Sequence, residues 1–185
     1  FNELPYDGGK IRLNSVCGVN LNASNLYKSG NDNFSYTIGD QLNLEWLDAL
    51  RIKVNLQKSH VGLLGFRAHG FFNLGVDELR NFQETGLLLD HYQITDALPP
   101  KELSEKDASK GEDLKKELTQ LFDTSGVSGQ QVEQVASLAQ SLEAFMGQNN
   151  LDALAVRCWP EFAATYGISP CAAMSYLQSQ GYILG

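Results

Sequence analysis

The sequence predicts an α/β fold, a doubly wound parallel sheet of the three-layer, Rossmann or flavodoxin-like kind. Three observations predict it. Two short uncharged runs, His60-Val61-Gly62-Leu63-Leu64-Gly65 and Leu151 to Val156 (interrupted only by Asp152), read as strands covered on both faces. Stretches with helical period separate the apolar runs, and strand, helix and strand at this spacing require a right-handed crossover and a parallel pair. The alternation continues to the last residues, as a sheet flanked by helices needs.

The elements follow in order. Residues 1 to 40 are rich in Gly, Asn and Ser and read as irregular connections around one or two strands, at Ile11 to Val16 and Phe34 to Ile38. From Asn43, apolar Leu44, Leu47, Leu50 and Val54 recur at helical steps with charged residues between them, and Asp40 is a start signal. His60 to Gly65 is the first strand of the main domain, followed by a loop, Phe66 to Asn73. Asp77 opens a short helix, Gly86 closes it, and Leu87-Leu88-Leu89 begins a second buried strand. Pro99 to Asp123 carries most of the charge and reads as solvated helix with a break at Gly111. Val132, Val135, Leu138, Ala139, Leu142 and Phe145 mark a core-facing helix after a turn at Thr124 to Gly129. Leu151 to Val156 is the third strand. Ser169-Pro170 starts a last helix, the Ser as cap and the Pro at the first helical position, which Gly181 ends before a strand at Tyr182 to Leu184.

Composition narrows the function classes. The 185 residues suit one medium domain, or one and part of another, with a packed core expected from 43% hydrophobic and 19% charged residues. The net charge of -8, with no basic run longer than two residues, disfavours nucleic acid and anionic membrane surfaces as partners. No stretch reaches the roughly 18 apolar residues of a membrane span, and Phe1-Asn2-Glu3-Leu4-Pro5 lacks the features of a signal peptide. A soluble, cytoplasmic protein is expected. Cys17, Cys158 and Cys171 contain no C-x-x-C pair, so reduced thiols are expected rather than disulfides or a zinc ribbon. The start at Phe1 and the stop at Gly185 straight after an apolar run read as a piece of a longer polypeptide.

Ligands of open parallel sheets bind outside the carboxyl ends of the strands. Two such segments carry chemistry. In Gly65-Phe66-Arg67-Ala68-His69-Gly70-Phe71-Phe72, the planar fork of Arg67 suits vicinal oxygens or a carboxylate, or simply pairs with an acidic neighbour on a solvated loop. The glycines there do not make a dinucleotide fingerprint. In Arg157-Cys158-Trp159-Pro160-Glu161-Phe162, a carboxylate framed by Trp159, Pro160 and Phe162 is costly to desolvate unless it meets a cation or metal. Its plainer roles are a pair with Arg157 or a first-turn carboxylate on a helix. No G-x-S-x-G, H-E-x-x-H or Walker loop occurs.

The segments Leu151 to Glu161 with its Arg-Cys-Trp-Pro-Glu run, Gly167-Ile168-Ser169-Pro170-Cys171 and Gly181-Tyr182-Ile183-Leu184-Gly185 together resemble the central domain of the L-fucose and L-arabinose isomerase family, closest to the divergent fucose-isomerase-like sugar isomerases. Val61 to Arg67 with Gly70-Phe71 is similar to the first strand and loop of that domain. The resemblance implies the end of an N-terminal domain or a connecting segment at 1–40, and a central α/β domain at 41–185 cut before a C-terminal domain. It implies an aldose–ketose isomerase acting on a sugar such as L-fucose or L-arabinose through an enediol, with a divalent metal, typically manganese, held by two carboxylates and a histidine. Glu161 matches the first carboxylate, as metal ligand and acid/base residue, with Arg67 and Trp159 as substrate-binding residues. The second carboxylate would follow Gly185 and the histidine would lie further on; His60, His69 and His91 do not match it. The resemblance also implies a homo-oligomer with active sites between subunits. The isolated 185 residues are then expected to be inactive and to bind manganese weakly or not at all. The competing reading is a non-catalytic sugar-binding or sensing domain, which the same fold would serve.

Overall fold

The computed structural model describes residues 15–37, 41–99 and 105–185. The chain clusters into two compact units, Phe1–Ile52 and Lys53–Gly185.

In the first unit the described residues hold helix α1, Ser15–Lys28, and the start of α2, Leu44–Leu56. Among the described residues there, the expected strands do not form. Ser15 and Val16 open α1, residues 34–37 pair with no strand, and Ile11 to Asn14 and Ile38 lie outside the described residues. Segments of five or six residues with three apolar positions each are too short to separate the two periods. The helix from Asn43 is present, although Asp40 lies outside the described residues; Asn43 Oδ1 accepts from the Trp46 backbone N–H at 3.0 Å and serves as the start signal. No residue of α2 is buried, so its apolar stripe stays open to solvent.

The second unit is the predicted α/β fold. Four strands, β1 His60–Leu64, β2 Leu88–Tyr92, β3 Ala153–Val156 and β4 Ile183–Leu184, form an all-parallel sheet in the order β2-β1-β3-β4. Register places Gly62 beside Asp90 and Leu154, and Leu154 beside Leu184. The side chains of Leu64, Leu154 and Leu184 therefore share one face, where they are buried.

Two helices cover that face. In α5, Gly129–Gln148, the positions expected to face the core do so: Val132, Leu138, Ala139, Leu142 and Phe145 are buried and Val135 is packed against them. Its start is a capping box, in which Ser128 Oγ accepts from the Gln131 N–H at 3.2 Å and Gln131 Oε1 accepts from the Ser128 N–H at 2.9 Å. In α7, Cys171–Ser179, residues Ala173, Tyr176 and Leu177 are buried in the same cluster. Each fully buried Leu or Phe contributes about 1.5–3 kcal/mol, so this cluster holds the unit together.

The charged stretch forms one unbroken helix, α4, Glu105–Leu121, against α5. The expected break at Gly111 is absent: burial of Leu114 and Leu118 outweighs the helix penalty of one glycine, about 1 kcal/mol. On the opposite face, as the right-handed crossover requires, α3, Glu78–Thr85, packs on β2. Asp77 caps it by accepting from the Arg80 N–H at 3.0 Å. Gly86 ends it at φ 76°, where an added Cβ would also come within 2.9 Å of the Gln57 backbone. β2 is an edge strand whose Leu88 and His91 are exposed, not the buried strand expected. Ser169 is not the cap of α7; Pro170 holds that position, and the Ser169 hydroxyl lies 3.0 Å from Cys171 Sγ instead. Cys158 and Cys171 are not joined in a disulfide.

Candidate functional site

Order β2-β1-β3-β4 places a topological switch between β1 and β3, where the crossovers leave to opposite faces and their loops diverge. A cavity of about 200 Å³ opens there, lined by Gly65, Phe66, Gln93, Ile94, Thr95, Arg157, Glu161 and Thr165. All eight follow the carboxyl ends of β1, β2 and β3.

Backbone bonds beyond the strands hold these segments together. Gly65 N–H donates to the Tyr92 carbonyl at 2.8 Å, and Arg157 N–H donates to the Leu64 carbonyl at 2.9 Å. Gly65 turns the chain at φ 87°, and a Cβ there would stand 2.9 Å from Arg157 Cβ and 3.2 Å from Ile94 Cγ1. The Trp159–Pro160 peptide is cis, and Pro160 precedes a six-residue helix, α6, Glu161–Tyr166. A helix this short has little stability of its own. Phe162, with 0% exposure, anchors it in the core, and Tyr166 is tied to α5 by its hydroxyl, which donates to the Gln134 carbonyl at 3.2 Å.

Glu161 thus stands at the tip of β3 and in the first turn of α6, and its carboxylate Oε1 meets Arg157 Nη2. Both of the plainer roles open to this residue are realised, and both are realised inside the cavity. The side chains are 21% and 35% exposed for Arg157 and Glu161. Two atoms of the pair, Arg157 Nε and Glu161 Oε2, are buried without any hydrogen-bond partner. A buried orphan of this kind costs about 1–3 kcal/mol.

The other residues singled out from sequence lie elsewhere. Arg67 is exposed, makes no ion pair among the described residues and rests its guanidinium 4.8 Å from the centroid of the Phe72 ring. Trp159 is 67% exposed and does not line the cavity. His60 Nε2 lies 2.8 Å from Asp90 Oδ2, His91 Nε2 lies 2.6 Å from Glu78 Oε1, and His69 is exposed. Sequence reasoning missed Gln93, Ile94, Thr95 and Thr165 and treated Arg157 only as a partner. The strand-end rule, applied to β2, would have found the first three. Thr165 is four residues from Glu161, one helical turn on the same face.

Glu161 could give a metal one oxygen. Among the described residues no three His, Cys, Asp or Glu side chains gather as a metal site. No helix of the described residues is long and apolar enough to cross a membrane.

No protein-family model matches the chain. It is similar to the sulfoquinovose isomerases of Priestia megaterium (strain ATCC 12872 / QMB1551), with 25% identity, and of Alkalicoccus urumqiensis, with 26%, each over 97% of this chain and 41% of the relative. The sulfoquinovose isomerase of Clostridium sp. (strain MSTE9) is 26% identical over 95% of this chain and 40% of its own. The chain therefore spans about two-fifths of the length of the curated relatives it matches. By their names these relatives are sugar isomerases, the broad class that the sequence resemblance implied.

Proposed function

We propose that this chain is part of a sugar isomerase of the fucose-isomerase-like kind, interconverting an aldose and a ketose. The observation that carries the reading is the place of Glu161: a carboxylate with one unpartnered oxygen, in a cavity at the switch point of the sheet. Similarity along nearly the whole chain to proteins named sulfoquinovose isomerase supports it.

In this reading Glu161 takes the proton from C2 of the aldose while the C1 carbonyl oxygen gains one, giving an enediol. Return of the proton to C1, with loss of the C2 hydroxyl proton, gives the ketose. Arg157 keeps the carboxylate turned along the cavity wall. A divalent ion, manganese by the resemblance, would polarise the substrate oxygens when bound and would take Glu161 as one ligand, the rest coming from outside the described residues. The 185 residues by themselves are accordingly proposed to be inactive, and the whole protein to be cytoplasmic and homo-oligomeric. The substrates to test are L-fucose and L-arabinose from the resemblance, and sulfoquinovose from the relatives' name.

The deciding experiment is ketose formation from these sugars with manganese, by the intact protein and its Glu161→Gln variant. Turnover that falls about 10²–10⁴-fold in the variant supports the role of Glu161. Full activity in the variant removes it. The second reading, a domain that binds sugar without converting it, is favoured by the Arg157 partner that Glu161 already has; sugar binding without turnover of any aldose would select it.

A further inference from the structure

The Arg157–Glu161 pair uses one guanidinium nitrogen and one carboxylate oxygen, and leaves Arg157 Nε and Glu161 Oε2 buried and unsatisfied. The two missing partners are complementary. Nε–H needs an acceptor, and Oε2 needs a donor or a cation. An anion would satisfy only the first and a metal ion only the second, whereas a hydroxyl group is both acceptor and donor. The rest of the lining has the same character: Thr95, Thr165 and Gln93, residues with hydroxyl or amide groups, stand beside the apolar Phe66 and Ile94. Such a mixture matches a polyol, with hydroxyl edges and C–H faces. Both charged side chains keep some solvent access, so rotation about their stems can part them far enough to admit one oxygen.

We propose that Arg157 is a substrate-binding residue of this cavity, and that the pair opens on ligand entry so that one sugar hydroxyl accepts from Arg157 Nε–H and donates to Glu161 Oε2. The inference rests on the sugar-binding part of the reading above and adds a residue that determines which hydroxyl pattern is accepted. Lysine cannot replace it, because an ammonium has no second N–H held in the plane of the first.

The test is binding of L-arabinitol and its singly deoxygenated analogues to the intact protein, by calorimetry. One analogue is expected to bind ten- to a hundredfold more weakly than L-arabinitol, the range for a hydrogen bond to a charged group. Arg157→Met and Arg157→Lys are each expected to weaken L-arabinitol about tenfold or more and to abolish that discrimination, with circular dichroism unchanged. In the unmodified protein, the Arg157 Nε–H resonance is expected to move when L-arabinitol is added; this measurement needs no variant to fold. Folded variants that keep the parent affinity and discrimination, or an Nε–H resonance that does not move at saturating polyol, overturn the inference. Aldose turnover with polyol binding indifferent to Arg157 overturns this inference alone. Polyol binding through Arg157 with no turnover of any aldose supports it and overturns the isomerase reading alone.

Discussion

The Tyr176 hydroxyl donates to Glu117 Oε2 across 2.7 Å and ties α7 to α4. Burial, then the hydrogen bond to Glu117 and the negative charges of Glu117 and Glu143, push the phenol up to about 12. Its folded value thus lies above the ordinary tyrosine value of about 10. The contribution to stability is fully present below about pH 10 and is lost as the pH rises toward about 12. Tyr176→Phe is expected to cost about 1 kcal/mol at neutral pH. Urea midpoints measured between pH 8 and pH 12 should fall less steeply in the variant than in the parent; equal slopes would count against the tie.

Phe162 joins the core to the site. It is completely buried and lies next to Glu161 in a helix too short to stand alone. Phe162→Ala is expected to cost about 3–5 kcal/mol in urea unfolding. Polyol binding should weaken beyond what the unfolded fraction explains, because Glu161 and Thr165 lose the element that carries them. Phe162→Leu, which keeps most of the volume, should retain most of both properties.

Gly65 is the residue where the backbone itself shapes the cavity. Alanine there would be strained at φ 87° and would press on Arg157 Cβ at 2.9 Å. Gly65→Ala is expected to destabilise by about 1–3 kcal/mol. Chemical shifts of Arg157 and Ile94 should change most, which a two-dimensional NMR comparison with the parent reads directly. Gly126→Ala, where an added Cβ meets nothing within 4 Å, is the matched control.

Ser128 starts the helix that covers the sheet. Ser128→Ala removes one half of the capping box and is expected to cost about 0.5–2 kcal/mol. Ser128→Asp, which keeps an acceptor at a helix N-terminus, should restore most of it in the same thermal unfolding measurement.

What could be read from sequence was whatever carries a local signal. The bracket Asp77 to Gly86 around α3 works because a cap and a left-handed stop each act on their own helix end. The same holds for the buried stripe of α5 and for three of the strands, whose apolar runs lie in a sheet with helices on both sides. The first unit was misread at Ser15 and Val16, where a short apolar run has no length to distinguish strand from helix. The cavity was half legible. Glu161 follows from one strand end, but its company depends on register, which brings Tyr92 beside Leu64 and so places Gln93 to Thr95 across from Arg157. No periodicity in the chain encodes that neighbour relation.

Because every neighbouring pair in the sheet is parallel, no two adjacent strands can be joined by a tight turn. β1 must capture β2 from about one helix away and β3 from far beyond it, so large loops close before any ladder bond repays them. The cavity walls, drawn from residues 65 and 66, 93 to 95, and 157, 161 and 165, assemble only when those closures are complete. In a refolding experiment, helical signal should therefore return early, and affinity for a polyol should return only with the slowest phase.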